Sequence, residues 1–275
     1  RPRGAPLERG TTGVSRRDRG LSPPRYDEGP GALRAPVGTR PSNRSAPSWR
    51  PPGTKLWAPV PSTLDQLLDA ADRGDVITIA ALLDAGADVN GADPSGWTPL
   101  LTACRSAQSV AVETLLDAGA SVESTRTGGF TALHLVLEHA GADGAGPEHF
   151  ALVRRLLAAG ADAAAPTTAS DQTPVHIAAG LGQPGLLALL LSSNADLEYR
   201  DARGATALLA GVLSGNAEVV TTLLAAGADP RSATPGGFTP LHAAAELGRP
   251  ELLRALLGAG ADPGAVTSDA LGSYP

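Results

Sequence analysis

The chain has 275 residues, 42% of them hydrophobic but only 3% aromatic, with one cysteine (Cys104), no methionine, 33 glycines and 24 prolines. A core must therefore be built from Ala, Leu and Val, a disulfide framework or a cysteine-built zinc site within one chain is excluded, and no run approaches the roughly eighteen apolar residues that span a bilayer. Residues 1–61 carry twelve cations against four acids, net +8, and residues 62–275 carry ten arginines against 24 acids, net −14; no nucleic-acid binding is expected of so acidic a body.

Residues 1–61 show no apolar period and are dominated by Pro, Gly, Arg and Ser. Such a segment buries too little apolar surface to offset its ordering entropy, so a disordered basic tail is expected. Ser15-Arg16-Arg17 has the look of a twin-arginine signal but no apolar run follows it, and export is rejected on that ground. Pro23-Pro24-Arg25-Tyr26 has the P-P-x-Y shape that WW domains bind, a match that arises often by chance in Pro-rich segments. With methionine missing even at position 1, the sequence reads as processed or as part of a longer frame, with Val14, Val37 and Val60 as candidate starts. The single cysteine suits a reduced intracellular setting, the cytoplasm.

From residue 62 onward one phrase returns. LLDAGA at 82–87 and 115–120, LLAAGA at 156–161, LLSSNA at 190–195, LLAAGA at 223–228 and LLGAGA at 256–261 place Gly86, Gly119, Gly160, Asn194, Gly227 and Gly260 at spacings of 33, 41, 34, 33 and 33. A second phrase keeps the same beat: WTPLL at 97–101, FTALH at 130–134, QTPVH at 172–176, ATALL at 205–209 and FTPLH at 238–242. The beat predicts six units, 62–92, 93–125, 126–167, 168–200, 201–233 and 234–266, with 267–275 either opening another or frayed.

Within a unit, Thr caps and Pro opens a first helix, because the first-turn N–H that Pro lacks is unbonded anyway. Small residues follow, then a Gly turn, then a second helix with Leu pairs on one face, such as Leu252, Leu253, Leu256 and Leu257. A left-handed Gly ends that helix, with Asn194 as the substitute in the fourth unit. The first unit lacks the Thr-Pro phrase; Thr63 and Gln66 are spaced as a capping box, as suits an N-terminal cap. The third unit carries eight extra residues around HAGADGAGPEH, and their Gly and Pro predict a loop.

With both phrases in register, residues 62 to about 266 resemble six ankyrin repeats, followed by what looks like the opening of a seventh. The resemblance implies an all-α ankyrin-repeat α-solenoid, helix-turn-helix pairs linked by β-hairpin-like loops, behind a disordered N-terminal tail. It implies that His134, His176 and His242 hydrogen-bond backbone between units. It also implies a protein–protein interaction module that grips a protein partner in a concave groove, with no catalysis of its own. The alternative is the regulatory arm of a larger enzyme or channel whose other domain lies outside these residues.

By the same resemblance, the residue before each Thr lies in the groove: Trp97, Phe130, Gln172, Ala205 and Phe238. Three of the chain's six Trp and Phe residues fall in this column. Arg105, Glu138, Leu213 and Glu246 take the outward place near the end of the first helix. The partner-binding set expected is Trp97, Phe130, Phe238, Arg105, Glu138, Leu213 and Glu246, the aromatics either binding or bracing neighbouring hairpins. No catalytic residue, cofactor or metal is expected. A monomeric repeat domain is expected, able to self-associate through an uncapped end. The last complete unit reads as an interior one, and Gly272-Ser273-Tyr274-Pro275 resembles the start of another.

Three chemical motifs compete with this reading. GLGQPG at 180–185 fits G-x-G-x-x-G, with Asp201 in the acidic place, but the dinucleotide motif needs a strand before it and here a helix is predicted. Glu138-His139 and Glu148-His149 invite a zinc reading, yet HExxH is absent and a loop does not preorganise ligands. Cys104 sits where other units have Ala or Val and is expected in the core.

Overall fold

The computed structural model of the protein describes residues 61–193 and 195–267. Twelve helices follow in pairs: α1 (Thr63–Arg73) and α2 (Val76–Asp84), α3 (Pro99–Arg105) and α4 (Ser109–Asp117), α5 (Ala132–Asp143) and α6 (Pro147–Ala158). The later pairs are α7 (Pro174–Gly180) and α8 (Pro184–Leu191), α9 (Ala207–Ser214) and α10 (Ala217–Ala225), α11 (Pro240–Glu246) and α12 (Pro250–Gly258). Among the described residues there is no strand, and β pairing is limited to an isolated bridge between Arg126 and Phe130.

Each helix start follows from local chemistry. Thr98, Thr131, Thr173, Thr206 and Thr239 are the N-caps of α3, α5, α7, α9 and α11, in extended conformation. Pro occupies the first turn of α3, α7 and α11, where it removes no hydrogen bond. The second helices end alike. In the pair α3/α4, Gly119 is left-handed (φ 89°), its N–H reaches Leu116 O (3.0 Å) and the Ala120 N–H reaches Leu115 O (2.9 Å). This double bond uses two carbonyls that the helix end leaves free. Gly86, Gly160, Gly227 and Gly260 repeat it; Asn194 lies outside the described residues.

First helices stack on first helices, and second on second, from one end of the array to the other. The buried Leu, Val and Ala residues form one continuous core from Leu67 to Ala261. No pair buries its apolar side alone, so stacking supplies the stability.

Three expectations are corrected. The first cap is one residue earlier: Ser62 Oγ accepts from the Asp65 N–H (3.0 Å) and Asp65 Oδ2 accepts from the Ser62 N–H (2.9 Å). Ser62 holds the extended cap conformation while Thr63 is already helical, and Gln66 instead donates to Pro61 O (3.0 Å). The extra residues of the third unit are not a loop. They lengthen both helices, so that α5 and α6 each have twelve residues where α3 has seven and α4 has nine. Pro147 is tolerated because it opens α6, and Phe150 and the His139–His149 contact hold the added turns. Finally, Leu252 and Leu256 are buried but Leu257 is 46% exposed, since no further helix pair covers it among the described residues. The expected tail, with its Arg-Arg and Pro-Pro motifs, and the segment 268–275 lie outside the described residues.

Candidate functional site

The surface to be tested is formed by the turn segments before the first helices and by those helices themselves. Successive turns are tied together: the Thr127 N–H and Oγ1 both donate to Ser95 O (3.0 and 2.9 Å), the Thr168 N–H to Gly128 O (2.8 Å) and the Ala202 N–H to Ser170 O (3.0 Å). Three of the turns are also braced alike from within. Asp93 Oδ1 accepts from the Trp97 N–H (2.9 Å), Asp201 Oδ1 from the Ala205 N–H (2.9 Å), and Thr234 Oγ1 from the Phe238 N–H (3.3 Å).

The histidines are structural. In His134 and His176, Nδ1 accepts from the N–H of the capping Thr (3.2 and 3.4 Å), so the ring proton sits on Nε2. That Nε2 then donates to the next unit, to Gln172 O (3.1 Å) and Ala205 O (3.2 Å). Burial pushes His134 down to about 4 and lowers His176 as well, so both rings are neutral at pH 7. His242 bonds Thr239 in the same way, at 3.2 Å, but its Nε2 has no carbonyl partner among the described residues. Here the between-unit bond implied for all three histidines is absent.

The residues expected to bind a partner fall into two groups. Trp97, Phe130 and Arg105 come together around a residue outside the expected set, Arg126. The Arg105 and Arg126 guanidiniums lie 4.7 and 5.1 Å from the Trp97 ring centre, and Arg126 lies 4.0 Å from that of Phe130. These are cation–π distances. Arg105 is also paired with Asp72 (2.8 Å), whose carboxyl is held below its usual range by the Ser106 hydroxyl (2.5 Å) and then by Arg105. A shallow cavity of about 230 Å³ opens here between Leu68, Asp72, Trp97 and Arg105. Glu138 on α5 is exposed but partly desolvated, which raises its carboxyl, while the charge of Arg126 pulls the other way.

The second group stands apart from this cluster. Phe238 stacks on its own His242 (5.8 Å, 24°), beside a cavity of about 250 Å³ that reaches Arg231 and Val266. Leu213 on α9 is 53% exposed and Glu246 on α11 is exposed. Phe130 likewise meets its own His134 edge-on (6.0 Å). Phe130 and Phe238 thus each pack on the histidine of their own helix.

Arg126 was legible in principle. It stands four residues before the groove aromatic, where Asp93, Asp201 and Thr234 carry the turn-bracing acceptor. An arginine has no acceptor, so this position breaks the pattern.

The competing motifs resolve plainly. Gly180 ends α7 and Pro184 opens α8, so helices flank GLGQPG on both sides. Its third glycine is a packing residue: a Cβ on Gly185 would sit 2.7 Å from Phe150 Cε1. Asp201 is buried and spends its carboxylate on the turn and on Arg203 (3.3 Å). His149 Nδ1 accepts from the Gly146 N–H (3.0 Å) and its Nε2 meets His139 Nδ1 (2.8 Å), so the two rings join α5 to α6. Among the described residues no group of three or more His, Cys, Asp or Glu is placed to hold a metal. Cys104 is fully buried and its thiol is pushed well up by burial, which removes the thiolate that nucleophilic chemistry needs. No helix among the described residues is long and apolar enough to cross a membrane.

Family models for ankyrin repeats match the chain: a three-copy model over residues 67–145 and again over 142–234, and a single-repeat model over 236–268. Two similar solved structures are ankyrin repeat domains. The human ASB11 domain is 26% identical, with a TM-score of 0.63, covering 76% of this chain and 88% of that one. A domain from Acinetobacter baumannii AYE is 29% identical, with a TM-score of 0.64, covering 71% of this chain and 98% of that one. No curated protein matches by sequence.

Proposed function

Since the chain belongs to the ankyrin repeat family, we propose that it is a protein-interaction module without catalysis of its own, gripping a protein partner on the turns and first helices of its second and third units. The observation that carries this is the cluster of Trp97, Arg105, Arg126 and Phe130, two rings and two cations from consecutive units on one surface. Aromatic and arginine side chains supply most binding energy in protein interfaces. Glu138 borders the cluster, and Phe238, Leu213 and Glu246 are proposed as outlying contacts of the same partner. The proposed units run 62–92, 93–125, 126–167, 168–200, 201–233 and 234–266. A reduced, intracellular setting suits its single, buried cysteine, and the module is proposed to work as a monomer.

The test is capture of partners by the full chain, followed by titration of a captured protein against parent and W97A/F130A. The double variant is expected to lose on the order of 3 kcal/mol of binding, with helicity by circular dichroism unchanged. A double variant that binds as tightly as the parent overturns the assignment.

A further inference from the structure

We infer that Arg126 is a receptor for a single carboxylate side chain on an otherwise neutral peptide segment of the partner; this deepens the groove reading above and rests on it. Three observations converge on this residue. First, a short acceptor braces the turn through the N–H of the groove residue in the other units, from four residues before it at Asp93, Asp201 and Thr234 and from five before it at Thr167. Arg126 forgoes that bond. Positions that break a local rule concentrate at functional sites.

Second, the guanidinium is held in place but not satisfied. It lies 4.0 Å from the Phe130 ring centre and 5.1 Å from that of Trp97. Stacking on rings occupies the face of the planar cation and leaves its in-plane N–H groups for an acceptor. Of those groups, Nη1 makes one long bond to Thr127 O (3.3 Å), and Nε is buried with no partner, the single such side-chain atom among the described residues. A buried donor without an acceptor is costly and calls for an explanation.

Third, no carboxylate is in ion-pair contact with it among the described residues. Arg73, Arg105, Arg155, Arg203 and Arg249 have one within 3.6 Å, whereas Arg154, Arg200, Arg231 and Arg254 also lack one but have no unpartnered buried nitrogen. Glu138 acts on Arg126 through its field alone, and partial desolvation already disfavours its charged form.

The ligand follows from this chemistry. A planar fork suits a carboxylate, whose two oxygens accept two parallel N–H bonds. The acidic surroundings, net −14 over residues 62–275, oppose a phosphate dianion more than a single carboxylate. An acidic side chain on a peptide otherwise neutral is the fitting occupant.

The probe is a phage-displayed library of random dodecapeptides selected on the full chain, followed by fluorescence polarisation with synthetic peptides. Enriched peptides are expected to share an Asp or Glu at one position, and its replacement by Asn or Gln to weaken binding ~10-fold or more. On R126Q the acid and amide peptides should bind alike, while R126K, which keeps the charge without the fork, falls between. Melting curves confirm that the variants are folded, and R126K serves if R126Q is not. Peptides that depend on Trp97 and Phe130 but share no acidic residue, or ignore R126Q, overturn this inference and leave the groove reading standing. Peptides indifferent to W97A/F130A, or no enrichment at all, overturn the groove reading and this inference with it.

Discussion

His134 and His176 each hold a helix start with one ring nitrogen and the next unit with the other, and the bond accepted by Nδ1 needs the neutral ring. Burial enforces that state, lowering His134 to about 4. The unfolded chain therefore binds more protons than the folded one below pH 6.5, and stability falls as pH drops from there toward 4. At pH 4 the loss from His134 alone is about 3 kcal/mol, and above pH 6.5 it vanishes. Urea melts of parent and H134Q should show the variant weaker at pH 7 but losing less between pH 7 and pH 4.5. Parallel losses would show that the ring does not carry the linkage. Arg126 belongs to the same scale, as a single residue whose meaning lies in the rings it touches.

At the level of helices and turns, two glycines separate conformation from packing. Gly119 ends α4 at φ 89°, and a Cβ there meets nothing within 4 Å. Gly119→Ala should cost about 1–2 kcal/mol of backbone strain alone, relieved by no neighbouring substitution. Gly185 in α8 has no unusual φ, but its Cβ would press on Phe150 at 2.7 Å. Gly185→Ala should cost about 1–3 kcal/mol through overpacking, and Phe150→Leu should recover part of it. Thermal unfolding of the two single variants and of G185A/F150L distinguishes these causes; additive losses in the double variant would exclude the packing account. Between units, side chains extend the backbone ties: Asn90 bonds Gly119 O (3.3 Å) and the Ser121 N–H (2.7 Å), and Arg231 bonds Gly260 O (2.8 Å).

Across the array, protection should follow the number of stacked neighbours. Interior pairs are covered on both sides, whereas among the described residues α11 and α12 pack on each other and against α9 and α10 on one side. The consequence is visible in side chains: Leu100, Leu133, Val175 and Leu208 are buried, yet the equivalent Leu241 is only half-buried, and Leu257 and Val266 are 46% and 79% exposed. In a nearest-neighbour array a unit with one interface opens more often than one with two. Amide exchange followed by NMR should therefore be faster in α11 and α12 than in α7 to α10. Equal protection across these helices would mean that the last pair gains its stability elsewhere.

What the sequence determined by itself was everything written in local chemistry. Thr before Pro caps and opens a helix, and Gly after the Leu pair ends one, because these effects reach only a few residues along the chain. The period then shows that the units stack. The same local rules misjudged the first cap by one residue, since Ser62 and Thr63 are chemically alike and only backbone conformation chooses between them. They also misread HAGADGAGPEH, where Gly residues argue for a loop but contacts between α5, α6 and Phe150's neighbours in α8 favour longer helices. The candidate site depended most on tertiary structure. Trp97 and Arg126 are distant in the chain and meet because consecutive turns are tied by hydrogen bonds. Stacking energy between a cation and a ring depends on their separation in space, and no period along one chain encodes it.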